Sequence, residues 1–342
     1  MKYFSMFSGI GGFEYGIHNA YLVRHESKQI EGSSHKHSAN ASSKNGIGGQ
    51  QRPICVGYSE IDKYAIKVYE RNFGEDIRPI QQESATPEQD SDNTENELQQ
   101  REHSNNRGGH TNYGDATTIN PNELPDFDLL VGGFPCQAFS IAGKRKGFDD
   151  TRGTLFFDIA RILAEKKPKH LVLENVKGLL SHEQGRTFQT IIGVLSDLGY
   201  GVEWQVLNSK DFGVPQNRER VIIVGHLGGE CTRKVFPITG ANGQDIVQLN
   251  QPKHSNDRIY SSGGVSPTLN TMQGGNRQPF IEQPPRIRRL TPLECERLQG
   301  FPDNWTALDQ DGQPISDTQR YKMCGNAVTT NVIQAVMEQL CV

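Results

Sequence analysis

Asp128-Leu129-Leu130-Val131-Gly132-Gly133-Phe134-Pro135-Cys136-Gln137-Ala138-Phe139-Ser140 is the stretch on which the reading of this chain turns. The apolar run 128–131 reads as a buried strand, and the glycines and proline after it form a turn where the backbone can approach a ligand closely. In open α/β sheets, ligands collect in the crevice beyond the carboxyl ends of the strands. Cys136 is therefore a candidate nucleophile. A free cysteine is more often a small buried hydrophobe, so the rest of the chain must supply the deciding signals.

Outward from this stretch, short β-rich runs alternate with helical patterns. Residues 2–8 precede a helical pattern at 11–24, 54–60 one at 62–73, 128–133 one at 154–167, and 170–175 one at 185–198. This alternation predicts a doubly wound α/β fold, a mostly parallel sheet with helices on both faces. Residues 203–208 and 220–225 follow with little helix between them and are expected to form a hairpin at one sheet edge. From about 227 to 287 the helical period disappears and Gly, Pro, Asn and Gln dominate, which predicts a smaller, irregular, β-containing domain. A closing helix is expected from about 326 to 340, with Val328, Val332, Ile333, Val336 and Leu340 on its apolar face.

The 342 residues suffice for one large domain and a smaller one, yet only 34% are hydrophobic and 36 are glycine. Segments without a core must dilute the composition. Two are evident, 26–53 and 81–113, both rich in Ser, Asn, Gln, Gly and charge and without an apolar period. The second has Leu98 as its one large aliphatic residue, too little to offset the entropy of ordering. Both read as insertions and are expected to be mobile.

The net charge of −4 is uneven. Residues 81–113 contribute −5, whereas 227–290 carry eight Lys or Arg against four Asp or Glu, a local excess suited to phosphates. The six cysteines, at 55, 136, 231, 295, 324 and 341, show no Cys-x-x-Cys pair and no His-Cys spacing suited to zinc. No metal is expected. No apolar run spans a bilayer and the first residues lack the regions of a signal peptide, so a cytoplasmic protein with free thiols is expected.

The first strand leads into Phe7-Ser8-Gly9-Ile10-Gly11-Gly12, a strand-turn-helix pattern that is weak by itself. A nucleotide-type site wants a carboxylate at the end of the second strand, about 20 residues on, to bind ribose hydroxyls. Glu60 lies 49 residues after Gly11; without the 28 residues 26–53 the separation is 21. Asp115 lies 55 residues after Glu60, and without the 33 residues 81–113 the separation is 22. Both carboxylates then fall at the carboxyl edge of consecutive βα units. No Lys-Ser/Thr follows the glycines, which disfavours a phosphate-binding loop and favours an adenosine without phosphates.

At the end of the strand 170–175, Glu174 stands beside Asn175 and Val176, where a carboxyl could donate a proton. Gln216-Asn217-Arg218-Glu219-Arg220 enters the last strand. Alternation aims Gln216, Arg218 and Arg220 to one side, where guanidinium groups can hold a carboxylate, a phosphate or a carbonyl.

Taken together, residues 7–13, the strand-end Glu60, 114–119, 132–140, 173–180, 216–220, 288–305 and 325–332 resemble, in order, the motif blocks of the DNA cytosine-5 methyltransferases. The resemblance covers most of the chain outside the insertions. It implies a Rossmann-like, S-adenosylmethionine-dependent catalytic and cofactor-binding domain at 1–234, a target-recognition domain and hinge at 235–320, and a C-terminal helix at 321–342 that returns to the catalytic domain. It places Phe7, Gly9, Ile10, Gly11, Glu60, Ile61, Asp115, Ala116, Pro135, Leu155, Asn326 and Val328 around S-adenosylmethionine, whose product is S-adenosylhomocysteine. Cys136, Glu174, Arg218 and Arg220 would surround the target base, with Arg218 holding its carbonyl or positioning Glu174.

Gln137 and Ser140 beside the nucleophile, Arg258 in the basic segment and Thr268 would contact double-stranded DNA. The short recognition segment implies a site of about four to six base pairs. The expected protein is a monomer of the bacterial restriction-modification type, paired with a cognate restriction endonuclease. A transfer-RNA cytosine methyltransferase and a catalytically silent DNA-binding regulator are the competing readings. The recognition segment 227–287 argues against the first, and the presence of Cys136, Glu174 and Arg218 together argues against the second.

Overall fold

The computed structural model describes residues 1–34, 52–74, 110–135, 155–228, 234–241, 243–271, 277–284 and 286–340. Six strands form the central sheet: β1 (Lys2–Met6), β2 (Ile54–Ser59), β3 (Leu129–Gly133), β4 (His170–Val176), β5 (Tyr200–Asn208) and, after the short β6 (Gln216–Asn217), β7 (Glu219–Leu227). Their order is β2-β1-β3-β4-β7-β5. The first four are parallel, and β7 runs antiparallel between β4 and β5. The expected hairpin is thus present, with its second strand inserted next to β4 and its first strand at the edge.

Strand periodicity explains why these runs read as almost continuously apolar: both faces are covered. Phe4, Met6, Leu130, Leu171, Leu173, Val221 and Ile223 point to one side, into a core shared with Phe156, Ile159, Ile191 and Leu195. Those partners come from α3 (Leu155–Lys166) and α4 (Arg186–Asp197). The alternate residues Tyr3, Leu129, Val131, Val172, Ile222 and Val224 point to the other side. There they meet α1 (Gly12–Ser34) and the C-terminal α7 (Thr330–Gln339), which supplies Val332, Ile333 and Val336. α7 has no basic residue in its last turn, and Arg24 of α1 substitutes by donating to the carbonyls of Met337, Glu338 and Leu340.

Between β2 and the C-terminal region, α2 (Lys63–Phe73) packs Val68, Tyr69 and Phe73 against Phe301, Trp305 and Ile315. Trp305 Nε1 donates to Ile10 O at 2.9 Å, which fastens this layer to the turn after β1. The smaller β region holds β8 (Ile259–Ser261), β10 (Phe280–Gln283) and β11 (Arg286–Arg289) in one three-stranded sheet, and β9 (Ser266–Pro267) paired with β6. α5 (Pro292–Leu298) and α6 (Asp317–Asn326) complete the chain. Among the described residues, no helix is long and apolar enough to cross a membrane.

Three expected boundaries move. α1 continues to Ser34, past residue 26, where the first insertion was expected to interrupt the helical pattern. The end of the second insertion is structural: Tyr58 and Tyr113 exchange backbone bonds with the Thr111–Tyr113 segment and β2, and Asn112 Oδ1 accepts from Gly114 N. Residues 35–51 and 81–109, the remainder of both insertions, lie outside the described residues, as do 75–80. Lastly, 235–320 does not pack as one unit. Val235 and Phe236 join the core under the sheet, and Phe301 to Ile315 join α2, because each end buries apolar side chains against the main body.

Candidate active site

A cleft of about 700 Å³ opens at the carboxyl ends of β1 to β4, where the strand order reverses around β1 and β3. On one side it is lined by Phe7, Gly9, Ile10, Glu60, Ile61, Asp115, Ala116, Pro135 and Leu155. Deeper in lie Glu174, Asn175, Arg218 and Arg220, and the opposite wall holds Thr268 to Thr271, Gly325 and Asn326. Residues distant in sequence are thus gathered as the motifs predict.

The turn after β1 is built from left-handed backbone at Phe7, Gly9 and Gly11, with φ of 55°, 56° and 85°. Its glycines do different work. A Cβ added at Gly9 would meet nothing within 4 Å, so that backbone borders open cleft, whereas one at Gly11 would collide with the Phe73 ring. Gly11, expected at the cofactor, serves packing of the turn against α2.

Glu60 fastens the turn to β2. Its Oε2 accepts from Gly9 N and its Oε1 from Ile61 N and Asp62 N, each at 2.8 Å. Beside it Ile61 is 72% exposed, an apolar plate left bare in the cleft. Asp115, also exposed, caps a short 3₁₀ turn through Thr117 N and Thr117 Oγ1, both 2.9 Å from Oδ1. Val328 is buried behind the cleft wall in the core with Phe13 and does not line the cleft.

Glu174 lies near the end of β4, opposite Gly133 of β3. An added Cβ at Gly133 would lie 3.2 Å from Glu174 Oε2, so the glycine leaves the space that the carboxylate occupies. Arg220 sits opposite Val176 across the β4–β7 ladder, on the same face as Glu174, and its Nε reaches Glu174 Oε1 at 2.9 Å. Arg218, expected at the base or at Glu174, lines the cleft with Glu174 but forms no ion pair with it among the described residues. It precedes β7, beyond the reach of the β4 ladder, and its Nη atoms donate to the carbonyls of Leu269, Gly325 and Ala327 at 2.9 to 3.1 Å. Burial, followed by the charge of Arg220, pulls its pKa down to about 9.

Cys136, Gln137 and Ser140 lie outside the described residues. The strand aimed at them is described: Asn175 Nδ2 donates to Phe134 O at 2.8 Å and so holds the backbone two residues before Cys136. Sequence reasoning named Asn175 only as a neighbour of Glu174; its 2% exposure beside a strand-end carboxylate is the signal that marks it. Thr268 Oγ1 donates to Asn217 O at 2.6 Å, although the residue is exposed at the cleft. Arg258 is exposed at the end of a 3₁₀ turn and is not part of the cleft lining.

The family model of the C-5 cytosine-specific DNA methylases matches residues 91–239 and 232–341. The Type II methyltransferase M1.ScrFI of Lactococcus lactis subsp. cremoris is 34% identical over 372 aligned positions, covering 99% of this chain and 77% of that protein. M.NlaX of Neisseria lactamica is 38% identical, covering 84% and 88%. Among solved structures, the S. pombe Dnmt2 methyltransferase shares the fold, with a TM-score of 0.62 at 15% identity over 99% of this chain and 97% of that one. On these matches and this cleft, the chain belongs to the C-5 cytosine-specific DNA methylase family and is a DNA (cytosine-5) methyltransferase.

Proposed function

We propose that the chain methylates carbon 5 of cytosine within a short duplex sequence, using S-adenosylmethionine and covalent catalysis by Cys136, with the target base rotated out of the helix. The observation that carries this reading is the single cleft in which a Glu60–Ile61 edge, fit for an adenosine, adjoins the Glu174–Arg220 pair. The residues fit that cofactor: open backbone at Gly9, a bare apolar plate at Ile61 and carboxylates at Glu60 and Asp115 suit ribose and adenine. When bound there, S-adenosylmethionine supplies an electrophilic methyl group.

Cytosine carbon 5 is a poor nucleophile while the ring is aromatic. Addition of the Cys136 thiolate at carbon 6 breaks that conjugation, and the thiolate leaves again once the carbon-5 proton is lost to solvent. Glu174, oriented by Arg220, accepts from the amino group and passes a proton to ring nitrogen 3 as the thiolate adds, which neutralises the charge developing there, and takes it back when the thiolate leaves. A stacked base cannot reach this depth, so the nucleotide rotates out at a cost of a few kcal/mol, roughly. Gln137 and Ser140 fill or contact the vacated space, while Arg258 and Thr268 contact the duplex.

A monomer acting in the cytoplasm and paired with a cognate endonuclease is part of this reading, and the pairing accords with the Type II names of its relatives. Transfer of labelled methyl from S-adenosylmethionine to duplex DNA tests the activity. Loss of transfer in Cys136→Ser is expected, and persistence would remove Cys136 from the mechanism.

A further inference from the structure

Gln216 and Arg218, two residues apart on one side of the chain entering β7, hold both backbone polar groups of Leu269. Leu269 N donates to Gln216 Oε1 at 3.0 Å, and Arg218 Nη1 donates to Leu269 O at 3.1 Å. The other Nη of Arg218 donates to Gly325 O and Ala327 O, the carbonyls on either side of Asn326. All three gripping and gripped residues are buried, Gln216 at 0%, Arg218 at 3% and Leu269 at 1% exposure.

The gripped segments also touch each other. A Cβ at Gly325 would collide with Asn270 O, so the backbones of 270–271 and 325 lie face to face. A second tier of amides repeats the connection. Gln216 Nε2 donates to Leu298 O, Gln299 Nε2 donates to Cys324 O at 2.6 Å, and Thr329 Oγ1 donates to Gln299 Oε1. A shift of 268–271 alone would strand a buried guanidinium donor and a buried carbonyl, which is costly, so the favourable displacements move both segments together.

We propose that Arg218 is a positioning residue that couples the duplex-facing segment 268–271 to the cofactor-facing segment 325–327, making duplex binding and S-adenosylhomocysteine binding mutually strengthening. The inference rests on the proposed function, which puts Thr268 at the duplex, and on the family resemblance, which puts Asn326 at the cofactor. Coupling of this kind is reciprocal: each ligand must raise the affinity of the other by the same factor.

The experiment uses the full chain, S-adenosylhomocysteine, and duplexes selected from a random library for binding to it. Duplex affinity is measured with and without S-adenosylhomocysteine, and the reverse pair of titrations checks reciprocity. The expected strengthening lies in the usual range of roughly 5- to 150-fold. In Arg218→Lys, whose ammonium is a single point and cannot reproduce the planar fork that spans Leu269 O on one Nη and Gly325 O and Ala327 O on the other, the factor falls toward one while both separate affinities remain measurable.

Hydrogen exchange in the unaltered protein gives a second readout: S-adenosylhomocysteine alone should increase protection of the Leu269 amide. A factor of one in the unaltered protein, an unchanged factor in the variant, or an unchanged Leu269 amide overturns the coupling. Absence of duplex or S-adenosylhomocysteine binding by the unaltered protein instead overturns the proposed function and this inference with it. If Arg218→Lys does not fold, the coupling factor and the Leu269 amide of the unaltered protein decide.

Discussion

Glu174 Oε1 and Arg220 Nε lie 2.9 Å apart, both side chains largely withdrawn from solvent, across the β4–β7 ladder. The pair fixes the orientation of the one carboxylate that faces the depth of the cleft. Replacing Arg220 by alanine is expected to leave binding of S-adenosylhomocysteine intact and to lower kcat by about 10²- to 10³-fold, the usual cost of losing an oriented polar group at developing charge. Single-turnover methyl transfer with Arg220→Ala and Arg220→Lys checks this; an unchanged rate in alanine would refute it.

Gly133 makes room for the same carboxylate. In Gly133→Ala the new methyl would press on Glu174 Oε2 from 3.2 Å and displace it by a few tenths of an ångström. A loss of about 10²-fold in rate is expected, because misplacement on that scale is costly in catalysis. Thermal melting should remain close to that of the unaltered protein.

The two glycines of the first turn separate ligand binding from folding. Both have positive φ, so alanine costs each about 1–2 kcal/mol of backbone strain. At Gly11 the collision with Phe73 adds to that strain, and Gly11→Ala should be the less stable protein by urea unfolding. At Gly9, where space is open to the cleft, Gly9→Ala should keep more stability and lose affinity for S-adenosylhomocysteine by calorimetry.

One buried and one half-buried group make stability depend on pH in opposite directions. Burial raises the Glu14 carboxyl from 4.5 to about 7, so the stability associated with its neutral form is complete below pH 4.5 and is lost as pH rises through 7. The loss is of order 3 kcal/mol for a shift of this size. Burial, then the facing His226, lowers His170 from 6.5 to about 4, so its contribution is present above pH 6.5 and is lost as pH falls through 4. Urea unfolding between pH 4 and 8 should show Glu14→Gln removing the alkaline-side decline and His170→Gln the acid-side one. An unchanged profile in either variant would exclude that group as the source.

How much was legible beforehand follows from the range of the interactions involved. The central strands were readable because they are buried on both faces and so carry an unbroken apolar run, as in 129–131 and 171–173. Glu60 and Asp115 were readable once the intervening segments were discounted, since a βα unit has a nearly constant length. The division between Arg218 and Arg220 was not, because both lie on the same side of an extended chain. Their different partners depend on where the β4 ladder ends. Nor was Gly11 distinguishable from Gly9, because the Phe73 ring that separates their roles comes from α2.

By itself, then, the sequence determined the sheet, the order of its motifs and the family, since periodicity and motif spacing are local properties written along one chain. Only the tertiary structure decided which arginine meets Glu174, which glycine borders the cleft, and that Leu269 is held through Gln216 and Arg218 to the carbonyls around Asn326. Those outcomes depend on strand register and on contacts between segments far apart in the chain, which no local pattern encodes.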